Sequence, residues 1–205
     1  MLKAYYQIST FGKDKVKKTR KRLSRSFLAQ FIQLSYLGHV GNALFNIIDT
    51  GDSVRSVRGN SPRTYFNSNA PWGNTFSRTY PYAGNSPNTS DSYGIKLGTG
   101  VLDVTPTDTK LQIPIVHGTG SGQIEYLGHF FPMDITTSGS NSYFVLERLF
   151  YNSSNGDIVV NEMGIYSVED NVGYVFCIVR DIVVPGVTVH TGEYLKVAYT
   201  IQVSC

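Results

Sequence analysis

Cysteine is scarce in this sequence, and charge is thin outside one short stretch. Two cysteines, Cys177 and Cys205, cannot make a disulfide framework, and no CxxC spacing offers a zinc site. The four histidines, His39, His117, His129 and His190, are scattered, with none at metal-ligand spacing to Cys, Asp or Glu. Phosphate-cradling loops are missing: Gly98-Thr99-Gly100 and Gly118 to Gly122 lack both the GxGxxG and the GxxxxGK[ST] patterns and read as turns. No GxSxG elbow occurs. Asp103 and Asp108 flank Thr105-Pro106-Thr107 without the ligand alternation of a calcium loop, so a capped turn accounts for them. These absences leave no catalytic residue, cofactor or metal to expect, and the chain reads as non-enzymatic. A pair of carboxylates brought together from distant strands for glycoside hydrolysis is the one enzymatic reading that a single sequence leaves open.

Long apolar runs are lacking as well. Phe27 to Ile48 is uncharged, but Gln30, Gln33, Ser35, His39, Asn42 and Asn46 interrupt it, together with Gly38 and Gly41, so no membrane span is expected. Nor is a secretory leader, because the basic run begins late and no short apolar core with a small-residue cleavage site follows it. Asn88-Thr89-Ser90 and Asn152-Ser153-Ser154 match the glycosylation sequon, a short motif that also arises by chance.

The charge that is present is segregated. Lys13, Lys15, Lys17, Lys18, Arg20, Lys21, Arg22 and Arg25 stand against Asp14 alone, a surplus of seven positive charges, whereas residues 26–205 carry nine basic and fourteen acidic groups, a deficit of five. The body is therefore mildly acidic and the front basic, which argues against a folded surface that grips nucleic acid but leaves a basic N-terminal arm, residues 1–23, that can contact an anion. Leu23, Phe27, Phe31 and Leu34 recur at helical spacing, which predicts a helix over 24–37 with Gly38 as its stop. The positive charges before it oppose the helix dipole, so the arm gains nothing from the helix and wants an acidic neighbour.

From residue 24 to 205 the pattern is that of a single all-β domain, an antiparallel β-sandwich or jelly roll. Asn42 to Val57 reads as two strands around a turn at Asp49-Thr50-Gly51-Asp52. Further strands are expected at Tyr93 to Leu97, Leu111 to Val116, Gln123 to Phe131 and Tyr143 to Tyr151, the last closing at Asn152-Ser153-Ser154-Asn155-Gly156. Tyr174 to Val179 is apolar on both faces, so both should be covered, by a helix or by another copy of the chain. Leu195, Val197, Tyr199, Ile201 and Val203 alternate with smaller or polar residues, and Val183, Val184, Val187 and Val189 read as their hairpin partner through His190-Thr191-Gly192-Glu193. An insert at 58–92 breaks the pattern. It holds four of the eight prolines and the aromatics Tyr65, Phe66, Trp72, Phe76, Tyr80 and Tyr82, which suit a contact surface of aromatic anchors on polar loops.

Three blocks carry a family resemblance. Ile95-Lys96-Leu97-Gly98-Thr99-Gly100, followed by Val104-Thr105-Pro106-Thr107-Asp108 and Leu111, resembles a GTG…TPTD-x-x-L block of small structural proteins of tailed bacteriophages. Ile158, Val160, Glu162, Gly164 and Ile165 are similar to the segment that follows it there, and Arg180-Asp181-Ile182 with Gly192-Glu193-x-Leu195-x-Val197-x-Tyr199-x-Ile201 to the ending. The resemblance covers residues 24–57 and 93–205 and leaves out the basic arm and the insert. It implies a virion protein of the tail, connector or head surface that works in a symmetric assembly with copies of itself and other virion proteins. Two alternatives stand beside it: a receptor- or glycan-binding tail-tip module using Trp72 and its neighbouring tyrosines, and a small jelly-roll capsid protein whose basic arm neutralises genome phosphates.

Overall fold

Alternating apolar residues from Leu195 onward make a strand with one buried face, and this strand lies in the middle of the larger of two packed sheets. The computed structural model describes residues 2–12, 16–18, 21–24, 26–40, 44–58, 91–130, 135–168 and 174–205. Its elements are β1 (Leu2–Phe11), β2 (Val16–Lys18), β3 (Arg22–Ser24), α1 (Ala29–Val40), β4 (Leu44–Ile48), β5 (Val54–Arg58), β6 (Gly94–Gly98), β7 (Glu125–Phe130), β8 (Thr136–Ser138), β9 (Asn141–Tyr151), β10 (Ile158–Val168), β11 (Val175–Val189) and β12 (Tyr194–Ser204). The larger sheet runs β2-β1-β12-β9-β7, with β3 also on β1 and β8 on β9; the smaller runs β11-β10-β6; and β4-β5 is a separate hairpin. All pairings between these strands are antiparallel, and the two larger sheets face each other as a β-sandwich. Tyr6, Ile8, Leu146, Phe150, Leu195, Val197 and Tyr199 from one side meet Ile95, Leu97, Val160, Met163, Ile165 and Phe176 from the other. Each such aliphatic or aromatic side chain contributes roughly 1.5–3 kcal/mol through its removal from water.

The front of the chain differs from the expected arm. Leu2–Phe11 pairs along its whole length with β12, from Leu2 opposite Val203 to Phe11 opposite Tyr194, and buries Ala4, Tyr6 and Ile8. It is a central strand of the domain, not an extension from it. The helix also begins later than predicted. Residues 26–28 run beside β11, with the Leu28 N–H on the Ile178 carbonyl at 3.0 Å and the Arg180 N–H on the Ser26 carbonyl at 3.2 Å, so α1 starts at Ala29 and continues through Gly38 to Val40. Edge pairing outcompetes helical propensity in that stretch. Because the basic residues precede this edge segment, those at 17, 18, 21 and 22 sit on or beside short strands and do not crowd the helix N-terminus.

The second difference lies at the end. β11 and β12 are not a hairpin, because β11 pairs with β10 in the smaller sheet while β12 pairs with β1 and β9 in the larger. His190-Thr191-Gly192-Glu193 is instead a corner between sheets, with Gly192 at a φ of 81°. The connection from β9 to β10 makes the same crossing next to it, and Asn152 joins the two. Its N–H reaches the Glu193 carbonyl (3.0 Å), its carbonyl takes the Gly192 N–H (2.7 Å), and its side-chain amide donates to Gly156 (2.9 Å) and Val189 (2.8 Å) carbonyls. Asn152 is fully buried, so a glycan cannot attach there. Leu111 to Val116 is an irregular strap beside β6 rather than a strand of a sheet, bonded through Ile115 to Leu97 and through Thr99 to Ile113.

The hairpin expected around Asp49 and the covered strand at Tyr174 to Val179 are both present. β4 and β5 form the hairpin around Asp49, whose carboxylate accepts the Gly51 and Ser53 N–H groups at 2.9 and 3.0 Å and meets Arg55 Nε at 2.5 Å. Phe176, Ile178 and Val179 join the main core while Cys177 packs with Leu28, Leu111 and Tyr166, so both faces of this strand are covered within the chain. Phe31 and Leu34 of α1 meet Ile47 and Val57 of the hairpin in the same core. Cys177 is buried and Cys205 exposed, and both are free thiols.

Candidate functional site

Residues from each of the three sequence blocks, Gly100 and Asp108, Glu162, and Arg180, converge on one buried charge cluster. Glu162, in the middle of β10, has no exposed surface. Its Oε1 accepts the N–H groups of Gly100 (3.1 Å) and Ile113 (2.8 Å), and its Oε2 accepts the Gln112 N–H (3.0 Å) and Arg180 Nε (2.9 Å). Two donors on each oxygen saturate the carboxylate, which leaves no lone pair for proton transfer. Arg180 continues outward through Nη1 to Asp108 Oδ2 at 2.6 Å and through Nη2 to the Leu102 carbonyl at 3.0 Å. Asp108 also caps its own turn, accepting the Thr105 N–H at 3.0 Å and the Thr105 hydroxyl at 2.8 Å. Burial works against the Asp108 carboxylate, but Thr105 and Arg180 together hold it below its ordinary value of 3.8.

Small residues make this closeness possible. A Cβ at Gly98 or Gly100 would stand 2.6 or 2.5 Å from Glu162 Oε1, and one at Gly164 would stand 2.5 Å from the Val179 carbonyl. Leu111 seats fully buried beside Gly164, and its N–H is taken by the Tyr166 hydroxyl at 2.6 Å. The cluster is thus a latch: β10 and β11 hold the strap of residues 99–113 through one carboxylate, one guanidinium and one apolar plug.

The outer face of the strap has the opposite character. Gln112 Oε1 accepts the N–H groups of both Val101 (3.0 Å) and Leu102 (3.1 Å), which draws the two arms of the strap together. Val101 (66% exposed), Leu102 (60%) and Ile113 (52%) are left in water beside it. Leu102 and Asp103 border an open hollow of about 620 Å³ shared with Ile48 of β4, Asp52 and Lys110; Ile48 pairs with the exposed Val54.

Lys17 and Lys18 lie in β2 and Arg22 in β3, on the outer side of β1; Lys21 is exposed with its ammonium 4.7 Å from the Tyr5 ring centre. Lysine and arginine at the rim of a sheet also discourage strand addition. Lys13, Lys15, Arg20 and Arg25 lie outside the described residues, as do the insert aromatics Tyr65, Phe66, Trp72, Phe76, Tyr80 and Tyr82. A second buried cation escaped sequence reasoning. Arg148 in β9 is fully buried, donates to the Leu127, Tyr93 and Ile95 carbonyls at 2.9–3.1 Å, and lies 4.7 Å from the Tyr126 ring centre. Burial pushes its pKa down to about 10. The signal was Glu147-Arg148 inside an otherwise apolar strand.

The histidines described in full have structural partners: His117 Nδ1 accepts the Tyr126 N–H at 2.9 Å, and His190 lies 2.8 Å from Asp157. Among the described residues, no three His, Cys, Asp or Glu side chains converge as metal ligands, and no helix is long and apolar enough to cross a membrane. No protein-family model, curated protein or solved structure matches the chain.

Proposed function

We propose that this chain is a non-enzymatic structural protein of a tailed-phage virion, a tail, connector or head-surface component that assembles with copies of itself. The observation that carries the reading lies on the strap at 99–113: Leu111 and the buried latch anchor it, while Val101, Leu102 and Ile113 stay exposed on a backbone that Gln112 and Glu162 hold in place. The resemblance of the latch residues to tailed-phage structural proteins supplies the setting. The sandwich supplies a rigid body, and the strap is a place where such bodies touch.

The test is the oligomeric state of the full-length protein by sedimentation velocity and light scattering. The expected result is a defined oligomer that Leu102→Asp dissociates while circular dichroism and melting temperature stay unchanged, because an exposed substitution costs the fold within about 0.5 kcal/mol. A wild-type protein that stays monomeric at high concentration overturns the self-association reading. Gold-labelled antibody on purified particles would place the chain on tail, neck or head. Steeply salt-dependent binding to nucleic acid, with no oligomer, would favour the genome-binding reading instead.

A further inference from the structure

A second cavity lies on the opposite kind of surface. At the side of the sandwich where β1 and β3 face β11, a cleft of about 400 Å³ is walled by Tyr6 and Ile8 on one side and Val183 and Val187 on the other. Its polar rim is cationic: Lys21 and Arg22 both line it and both are exposed, while no carboxylate is among its lining residues. Arg22 donates through Nη1 to the Val184 carbonyl and so spans the mouth. The nearest carboxylate behind the wall, Asp181, is buried and already accepts the Ser26 hydroxyl at 3.1 Å and the Tyr199 hydroxyl at 3.0 Å. Tyr6, the other titratable group facing the cleft, donates its hydroxyl to the Ile182 carbonyl at 3.3 Å. The cleft therefore asks for a ligand with an apolar body and one exposed negative charge.

The chain carries such a feature on its own strap. Val101-Leu102-Asp103 sets two exposed apolar side chains beside an exposed carboxylate that has no ion-pair partner among the described residues. Gln112 fixes the backbone of Val101 and Leu102, and the latch fixes the base, so little conformational freedom is lost when this tip is bound. We infer that the strap tip of one copy, Val101-Leu102-Asp103, docks in the Lys21/Arg22 cleft of a second copy. This rests on the self-association proposed above and specifies its geometry. The two surfaces are different patches of the same molecule, so the contact is head-to-tail and repeats from copy to copy, closing into a ring or running on as a filament. It also uses the charge segregation of the chain, with the basic front of one subunit against the acidic body of the next.

The experiment is a charge swap in the full-length protein, read by sedimentation velocity at low and moderate salt. Asp103→Lys alone, and Lys21→Glu with Arg22→Glu, should each weaken association by about tenfold or more, through like-charge juxtaposition. Lys21→Glu alone is the companion variant, since it leaves the Arg22 bond to Val184 intact. Mixing the Asp103→Lys protein with the double cleft variant should restore assembly, because every strap then meets a cleft of opposite sign. If the wild type assembles and the variants assemble as it does, or if mixing restores nothing, the docking is wrong while self-association stands. A monomeric wild type overturns both.

Discussion

Asn152 shows how much one side chain can hold. Its amide hydrogens satisfy two carbonyls from different segments, Gly156 and Val189, and its Oδ1 accepts the Ser154 N–H and hydroxyl at 3.0 and 2.7 Å. Replacing it with alanine takes this donor from the buried Val189 carbonyl, while the Gly156 carbonyl, in an exposed residue, keeps the Ser154 hydroxyl at 3.1 Å. Asn152→Ala should lower unfolding free energy by about 1–3 kcal/mol, measured by urea titration, from the cost of leaving such a group unpaired. A loss within error of zero would mean that the corner is held elsewhere. The sequence marked this asparagine only as a turn residue and a sequon match, because its side-chain partners lie up to 37 residues away and no local pattern encodes them. Glu162 was visible as a member of a motif while its role was not: β10 shows its position on a strand, but three of its donors come from a strap 49 to 62 residues upstream and the fourth from Arg180 on β11.

At the scale of elements, the strap depends on ionised carboxylates. Asp108 has its pKa depressed in the folded chain from an ordinary value of 3.8, so its contribution is complete above that value and is lost as pH falls through the lower folded value. Asp49 in the β4-β5 turn behaves alike: burial raises it, but Arg55 and the Ser53 and Gly51 amides outweigh that and leave it lowered. Melting temperature should therefore be flat from neutral pH to about pH 5 and drop below about pH 4, and Asp108→Asn should lower the plateau and shrink the drop. An unchanged acid profile in that variant would remove Asp108 from the account. Individual strands were legible because period-two alternation and turn residues such as Asp49-Thr50-Gly51-Asp52 are local. Which strands pair was not. His190-Thr191-Gly192-Glu193 has the chemistry of a tight turn whether the chain folds back on its neighbour or crosses to the other sheet, and alternation reports the buried face of a strand without its partner. The helix boundary failed for a related reason, since residues 26–28 have helical spacing but gain more from the edge of β11.

For the whole molecule, the basic stretch cannot be treated as detachable. Removing residues 1–23 takes away β1 with Ala4, Tyr6 and Ile8 and exposes the long edge of β12. With total stabilities of about 5–15 kcal/mol, a loss of several buried side chains and a full strand ladder is decisive. The truncated chain should be insoluble or show no cooperative melt; a folded, soluble product would mean that β1 is dispensable. Point charges at Lys21, Arg22 and Asp103 are the cleaner way to probe assembly, because they leave the sheet whole.

The pairing of β1 with β12 also sets an order in time. Leu2 lies opposite Val203, so β1 is made long before its central neighbour β12 exists. Closing so long a loop comes late, and a sheet built on it folds slowly compared with one made of local hairpins. Until then the apolar face of β1 has no permanent cover, and the cleft that β1 shares with β11 has no finished wall. A chain without β12 therefore lacks the finished wall of that cleft, and any contact that uses the cleft waits for β1 and β12 to pair.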